Sequence, residues 1–175
     1  IRYVAIEKGA ISKLTALTEN YSSILLVADE NTYGAAGEQT VRALTGKEIC
    51  KVIFPGDTIL IPNEDAIEQV NDKLAGAQLI IGIGSGVIQD LCKYVSHTSG
   101  IPYYIIATAP SMDGYASTGA AMILKEMKET VKAHLPRAII ADVDVLKNAP
   151  MDMIKAGYGD IIGKYSSLCD WELAS

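Results

Sequence analysis

The sequence has few cysteines, and their spacing fits neither a metal site nor a disulfide framework. Cys50, Cys92 and Cys169 are odd in number and far apart, and no CxxC pair or Cys/His cluster occurs. Disulfide frameworks and zinc sites need closely patterned cysteines. We therefore expect reduced thiols in a cytoplasmic protein, each packed as a small buried side chain.

Long apolar runs are also missing. The longest nearly apolar runs cover residues 77–83 and 101–109, which is far short of the roughly 20 residues that span a bilayer. The N-terminus carries no charged segment followed by an apolar one, as an export leader would. We therefore expect neither a membrane partner nor export.

Positive charge is in deficit. Fifteen Lys and Arg stand against 21 Asp and Glu, which gives a net charge of −6. Without a basic excess, nucleic acid is not an expected partner. A hydrophobic fraction of 49% and a charged fraction of 21% over 175 residues are typical of a globular domain with a sizeable core, alone or with part of a second domain.

Short apolar segments alternate with helical ones over the first 148 residues. Strands are predicted at residues 2–6, 23–29, 48–54, 78–82, 103–107 and 137–142, and helices at 34–44, 64–74 and 86–97. This alternation predicts an α/β domain whose parallel sheet is flanked by helices on both faces. The segment 120–133 fits either a helix or a β-hairpin.

The character of the chain changes after Pro150, which stands where a helix begins and where its missing N–H costs little. Helices are predicted at 151–155 and 160–173, separated by Gly157 and Gly159. We therefore predict two parts, a domain over residues 1–148 and the start of a truncated, all-helical domain over 149–175.

Three alternating glycines mark the end of the fourth predicted strand. Gly82, Gly84 and Gly86 precede a predicted helix. Glycines let a ligand approach the backbone, and a helix N-terminus offers free N–H groups to a phosphate. A tight strand-to-helix turn is the alternative, but it needs fewer glycines. The position differs from that of the GxGxxG fingerprint, which follows the first strand.

Polar residues follow other predicted strands and helices. Asp29 ends a strand, where an acid holds ribose hydroxyls or caps a helix. Residues 108–117 combine hydroxyl groups with one acid, Asp113. Asp160 opens a predicted helix as a cap or as a metal ligand, and Lys164, one turn later, is expected to form an ion pair. The only two histidines, His97 and His134, lack ligand spacing to Asp160 and are expected on the surface.

Segments 84–90, 108–117 and 156–160 together resemble the sn-glycerol-1-phosphate dehydrogenase family. This family belongs with dehydroquinate synthases, glycerol dehydrogenases and iron-containing alcohol dehydrogenases. The resemblance implies a Rossmann-like nucleotide-binding domain, a helical metal domain and a β-hairpin over 120–133. It also implies NAD(P)H-dependent reduction of dihydroxyacetone phosphate to sn-glycerol 1-phosphate by a homo-oligomer. A polyol dehydrogenase, a dehydroquinate synthase and a non-catalytic nucleotide-binding module remain the alternatives.

The resemblance also implies roles for particular residues. Those expected to bind NAD or NADP are Asp29, Gly86, Val87, Ile88, Gln89, Asp90, Thr108, Ala109, Pro110, Ser111 and Ser117. Asp113 would contact a phosphorylated triose or polyol, and Asp160 would bind both this substrate and a divalent metal, zinc or nickel, through which it would act in catalysis. The family's other metal ligands are two histidines beyond this chain. We therefore expect the chain alone to bind nucleotide weakly and not to turn over.

Overall fold

A computed structural model describes residues 1–174, and a six-stranded parallel sheet forms its centre. The strands are β1 (Tyr3–Glu7), β2 (Ser23–Asp29), β3 (Glu48–Phe54), β4 (Leu79–Gly84), β5 (Tyr103–Ala107), β6 (Gly119–Leu124), β7 (Met127–Lys132) and β8 (Ala138–Asp142). The sheet has the order β1-β8-β5-β4-β2-β3, and every neighbouring pair is parallel. The predicted parallel α/β sheet is confirmed.

Helices cover both faces of this sheet. They are α1 (Leu14–Leu17), α2 (Glu30–Ala43), α3 (Glu64–Asn71), α4 (Gly86–Ser99), α5 (Val143–Leu146) and α6 (Met151–Ala174), with 3-10 turns at Ala10–Lys13 and Gly114–Ala116. Successive strand residues enter opposite cores, since Leu26 packs in the core with α2 and Leu25 in the core with α3 and α4. Each such fully buried leucine contributes about 1.5–3 kcal/mol of transfer free energy. Among residues 1–174, no helix is both long and apolar enough to cross a membrane.

The segment 120–133 is a β-hairpin, so the helical alternative is wrong. Strands β6 and β7 pair antiparallel, and Lys125 and Glu126 connect them with φ of 51° and 62°. Two consecutive left-handed residues are typical of the tight turn that suits the twist of a hairpin. Ala120 and Met122 are fully buried in the core beside α4, and this packing favours the strand.

Residues 151–174 form one continuous helix, and the predicted break at residues 157–159 is wrong. Each glycine inside a helix costs only about 1 kcal/mol relative to alanine, so Gly157 and Gly159 do not by themselves end the helix. Gly157 is the one buried residue of α6 among those described, while large side chains such as Tyr165 and Trp171 are exposed. The division into two domains near residue 148 stays a prediction.

The cysteines only partly follow the expectation. All three are free thiols, but Cys50 and Cys169 are exposed and only Cys92 is buried. Cys50 lies on β3, an edge strand whose alternate residues face outward, and Cys169 lies on the exposed helix α6. Burial of these two residues was therefore a wrong expectation.

Candidate functional site

The carboxyl ends of β2, β4 and β5 bring together the loops that carry most of the predicted site residues. In the sheet, β2 neighbours β4, which neighbours β5. Asp29, Gly84 and Ala107 are the last residues of these three strands. Open parallel sheets bind their ligands at this edge.

The turn from β4 into α4 is open at the start of the helix. Ser85 occupies the N-cap position but makes no side-chain cap hydrogen bond. The first N–H groups of α4, those of Gly86, Val87 and Ile88, have no acceptor within the helix. A Cβ on Gly86 would have Met112 Sδ as its nearest neighbour, at 3.9 Å, which is an ordinary van der Waals distance. This turn therefore has room and unused donors for an anion.

Gly84 has a different task from Gly86. A Cβ on Gly84 would lie 2.6 Å from Cβ of Ile88, so only glycine lets α4 pack this closely on the end of β4. The carbonyl oxygen of Gly84 also accepts a hydrogen bond from the backbone N–H of Thr108 at 3.2 Å. The glycine turn and the loop after β5 are thereby joined directly.

The loop of residues 108–113 is held at its base. Thr108 and Ala109 are buried, Ser111 is half-buried, and Pro110 is exposed. The Tyr115 hydroxyl donates to the carbonyl oxygen of Ala109 at 2.8 Å. Burial raises the pKa of Tyr115, so its hydroxyl stays a neutral donor.

Asp29 caps α2, as one of the two readings of the sequence predicts. Its Oδ1 accepts from the Thr32 N–H at 2.8 Å, and the Thr32 hydroxyl lies 3.1 Å from the Asp29 N–H, which completes a capping box. This box starts α2 at Glu30, four residues before the predicted start at residue 34. Its expected role toward a cofactor stays a prediction.

Three other predicted cofactor residues turn their side chains toward the protein. Gln89 donates through Nε2 to the carbonyl oxygens of Gly114 and Tyr115, both at 3.0 Å. Asp90 and Ser117 both contact Lys93 at 3.2 Å. Sequence analysis missed Lys93, although its spacing of three residues from Asp90 on a helix was a usable signal. The cofactor contacts expected of these residues are not tested by this geometry.

Helix α6 brings Asp160 and Lys164 to the loop after β5. The backbone N–H of Asp113 donates to Asp160 Oδ2 at 2.7 Å. The Asp113 carboxylate forms an ion pair with Lys164 at 2.5 Å. The hydrogen bond from Lys164 lowers the pKa of Asp113, although its partial desolvation opposes this. Lys164 therefore forms an ion pair, as expected, but its partner is Asp113 and not Asp160, the residue one helical turn before it.

These residues do not by themselves form a metal centre. Within residues 1–174, no three His, Cys, Asp or Glu side chains lie close enough together to hold a metal ion. Catalytic zinc sites use three protein ligands, so Asp160 does not suffice. His97 and His134 are exposed, as expected, with their rings edge to face at 4.6 Å. The role of Asp160 as a metal ligand stays a prediction.

A cavity of about 700 Å³ opens beside this edge of the sheet. It lies between the start of α2, the loop after β5, the helix α5 and the start of α6. Asn31, Thr108, Val145 and Met153 line it from these four sides. Its size falls in the range of small-molecule and cofactor sites.

Comparison with known proteins identifies the family. A family model described as iron-containing alcohol dehydrogenase matches residues 5–150. The chain belongs to this family. Solved structures of similar fold include an iron-containing alcohol dehydrogenase from Thermococcus thioreducens, with a TM-score of 0.80 and 14% identity, which covers 90% of this chain and 50% of that one. A probable glycerol dehydrogenase from Sinorhizobium meliloti gives a TM-score of 0.77 at 24% identity, covering 91% of this chain and 44% of that one.

Curated relatives in the family carry a more specific name. A glycerol-1-phosphate dehydrogenase (NAD(P)+) of Geobacillus thermodenitrificans is 34% identical over 99% of this chain and 45% of its own length. A protein of the same name from Bacillus velezensis is 38% identical over 86% of this chain and 39% of its own length. The chain thus spans less than half the length of these relatives.

Proposed function

We propose that this chain is the nucleotide-binding part of an NAD(P)-dependent glycerol-1-phosphate dehydrogenase. The observation that carries this proposal is the open first turn of α4, which lies beside the loop of residues 108–113 at the carboxyl edge of the sheet. The curated relatives at 34% and 38% identity support the choice of substrate and cofactor.

The diphosphate of the nucleotide would lie on the first turn of α4. The N–H groups of Gly86, Val87 and Ile88 point along the helix axis, and the positive end of the helix dipole favours the negative charge. The hydroxyls of Thr108 and Ser111 are within the adjoining loop and would donate to the nucleotide. Asp29 uses Oδ1 as a cap, and its Oδ2 would accept from a ribose hydroxyl.

The substrate would lie against the Asp113 and Asp160 cluster. The bound nicotinamide would supply the hydride that interconverts the ketone and the alcohol. Asp113, which is exposed and ionised, would accept hydrogen bonds from substrate hydroxyls and so orient the reacting carbon. Because residues 1–174 hold no complete metal site, we assign no step of the reaction to a metal in this chain.

Titration of the 175-residue chain with NADH and NADPH tests the proposal. Nucleotide fluorescence should report saturable binding, and sn-glycerol 1-phosphate should bind the nucleotide complex better than glycerol does. Thr108→Val removes one hydroxyl at nearly constant volume and should weaken nucleotide binding, whereas Thr98→Val, at the far end of α4, should not.

The outcomes separate the alternatives. Absence of nucleotide binding by the wild-type chain would overturn the proposal. Preference for glycerol over its phosphate would replace it with a polyol dehydrogenase. Nucleotide binding without any response to either substrate would favour a non-catalytic nucleotide-binding module.

A further inference from the structure

Lys93 is a charged residue in the interior of the domain. Only 1% of its side chain is exposed, and an ammonium group in the interior is costly unless acceptors surround it. Its Nζ lies 2.6 Å from the carbonyl oxygen of Gly119, 3.2 Å from Oδ1 of Asp90 and 3.2 Å from Oγ of Ser117. All three contacts of Lys93 are therefore internal.

Asp90 completes this connection. While Oδ1 contacts Lys93, Oδ2 accepts from the backbone N–H of Ala121 at 3.2 Å. Both carboxylate oxygens are thus used within the protein. Asp90 and Lys93 together join α4 to the start of β6, over residues 117–121.

The joined segment leads directly from the candidate site. Gln89, next to Asp90, holds the carbonyl oxygens of Gly114 and Tyr115. The hydroxyl of Tyr115 in turn holds Ala109. Residues 114–121 are therefore fastened to the first two turns of α4, and Ala109 is joined to them through Tyr115. The open end of α4 is the proposed nucleotide site.

We propose that Asp90 and Lys93 are a positioning pair, which fixes residues 117–121 against α4 and thereby, together with Gln89, places Ser117 and the loop of residues 108–113 beside the open turn. The pair would act on the nucleotide site through its bonds to Ser117, Gly119 and Ala121. The consequence for nucleotide binding rests on the proposed function, whereas the fixing of residues 117–121 does not.

The variant Lys93→Met tests the pair because it removes the ammonium group and keeps most of the apolar length. Asp90 then loses a partner, and its bond to Ala121 loosens. We expect faster amide hydrogen exchange at Ala121 and NADH binding weaker by on the order of tenfold, since small misplacements at a site are costly. Lys93→Arg, which keeps the cation, should restore part of both.

A core variant separates positioning from general loss of stability. Val70 is fully buried on α3, and it packs in the same core as α4. Val70→Ala should lower the melting temperature and leave NADH affinity unchanged. Amide exchange at Ala121 in this variant should stay slower than the rate that global unfolding of the variant would allow. Because coupled residues are not additive, Asp90→Asn combined with Lys93→Met should weaken NADH binding by less than the product of the single effects.

Each result decides one question. Wild-type exchange at Ala121 together with wild-type NADH affinity in Lys93→Met would overturn the positioning role. If the wild-type chain does not bind NADH, the proposed function fails, but exchange at Ala121 still decides whether the pair fixes the segment. If Lys93→Met does not fold, Asp90→Asn gives the same readouts, because it leaves Lys93 its bonds to Gly119 and Ser117 and removes the charge and one of the two oxygens that accept from Lys93 and Ala121.

Discussion

Gly157 and Pro110 approach so closely that no side chain fits between them. A Cβ built on Gly157 would lie 1.8 Å from the carbonyl oxygen of Pro110, and Gly157 is buried. This contact docks α6 on the loop after β5. One turn further along α6, Asp160 then reaches the backbone N–H of Asp113.

Gly157→Ala should therefore separate α6 from the loop. The added methyl group must displace backbone, and overpacking of this kind costs about 1–3 kcal/mol. We expect a lower free energy of unfolding in denaturant titrations and faster amide exchange at Asp113, whose acceptor Asp160 moves away. The control is Gly163→Ala, since no atom lies within 4 Å of a Cβ there and alanine favours the helix by about 1 kcal/mol. Equal effects of the two substitutions would contradict the docking role.

Lys164→Met should raise the pKa of Asp113. In the wild-type chain the hydrogen bond from Lys164 holds that pKa below its ordinary value of 3.8. An NMR titration of the Asp113 carboxyl group should show the shift and its loss in the variant. Lys155→Met is the control, because Lys155 pairs with Asp152. An unchanged pKa of Asp113 in Lys164→Met would show that the ion pair does not form in solution.

The same ion pair gives a pH dependence with a defined sign. Folding lowers the pKa of Asp113, so the pair stabilises the folded chain fully above the ordinary carboxyl value of 3.8. That contribution is lost as the pH falls through the lower, folded value. Both side chains are about half exposed, so added salt should weaken the effect.

The sheet could be predicted from the sequence, but the orientation of several site residues could not. Buried strands such as Ser23–Asp29 read as continuous apolar runs because both faces of a parallel sheet are covered. Gln89 and Asp90 lie on an equally recognisable helix. Their side chains nevertheless bind residues 114–121, and the fold of the hairpin that follows was open on local grounds. Without the position of the hairpin, the direction of these side chains could not be predicted.

The helix α6 shows a second limit of local reasoning. Gly157 and Gly159 predict a break when only helix propensity is considered. Gly157 is needed because the backbone of Pro110 approaches it closely. The neighbouring hydrogen bond between Asp113 and Asp160 joins residues 47 positions apart in the sequence. The sequence alone does not distinguish a glycine required by tertiary packing from a glycine that ends a helix.

Alkylation should distinguish the three cysteines. Cys50 and Cys169 are exposed, whereas burial of Cys92 raises the pKa of its thiol and blocks access. Because the thiolate is the reactive form, iodoacetamide should label two cysteines of the native chain and three in denaturant, counted by intact mass. A chain with Cys50→Ser and Cys169→Ser should take up no label when native. Rapid labelling of that variant would show that the core beside α4 opens.

Gly84 and Gly86 should respond differently to alanine, although they belong to one turn. Gly84→Ala places a methyl group 2.6 Å from Cβ of Ile88, so we expect a loss of about 1–3 kcal/mol in the free energy of unfolding. The methyl group of Gly86→Ala meets no atom nearer than 3.9 Å, and residue 86 is the first residue of α4. The free energy of unfolding should therefore be unchanged or slightly higher.

Gly86→Ala, which should not lower stability, should weaken nucleotide binding. The methyl group of Gly86→Ala would stand where a diphosphate approaches the backbone, so NADH affinity should fall by about tenfold, or 1.4 kcal/mol, in a chain of undiminished stability. Fluorescence titration and thermal unfolding of the same samples provide both measurements. If Gly86→Ala binds NADH as the wild type does, the diphosphate does not lie on the open turn of α4. Because the variant keeps its stability, a change in folding cannot account for either result.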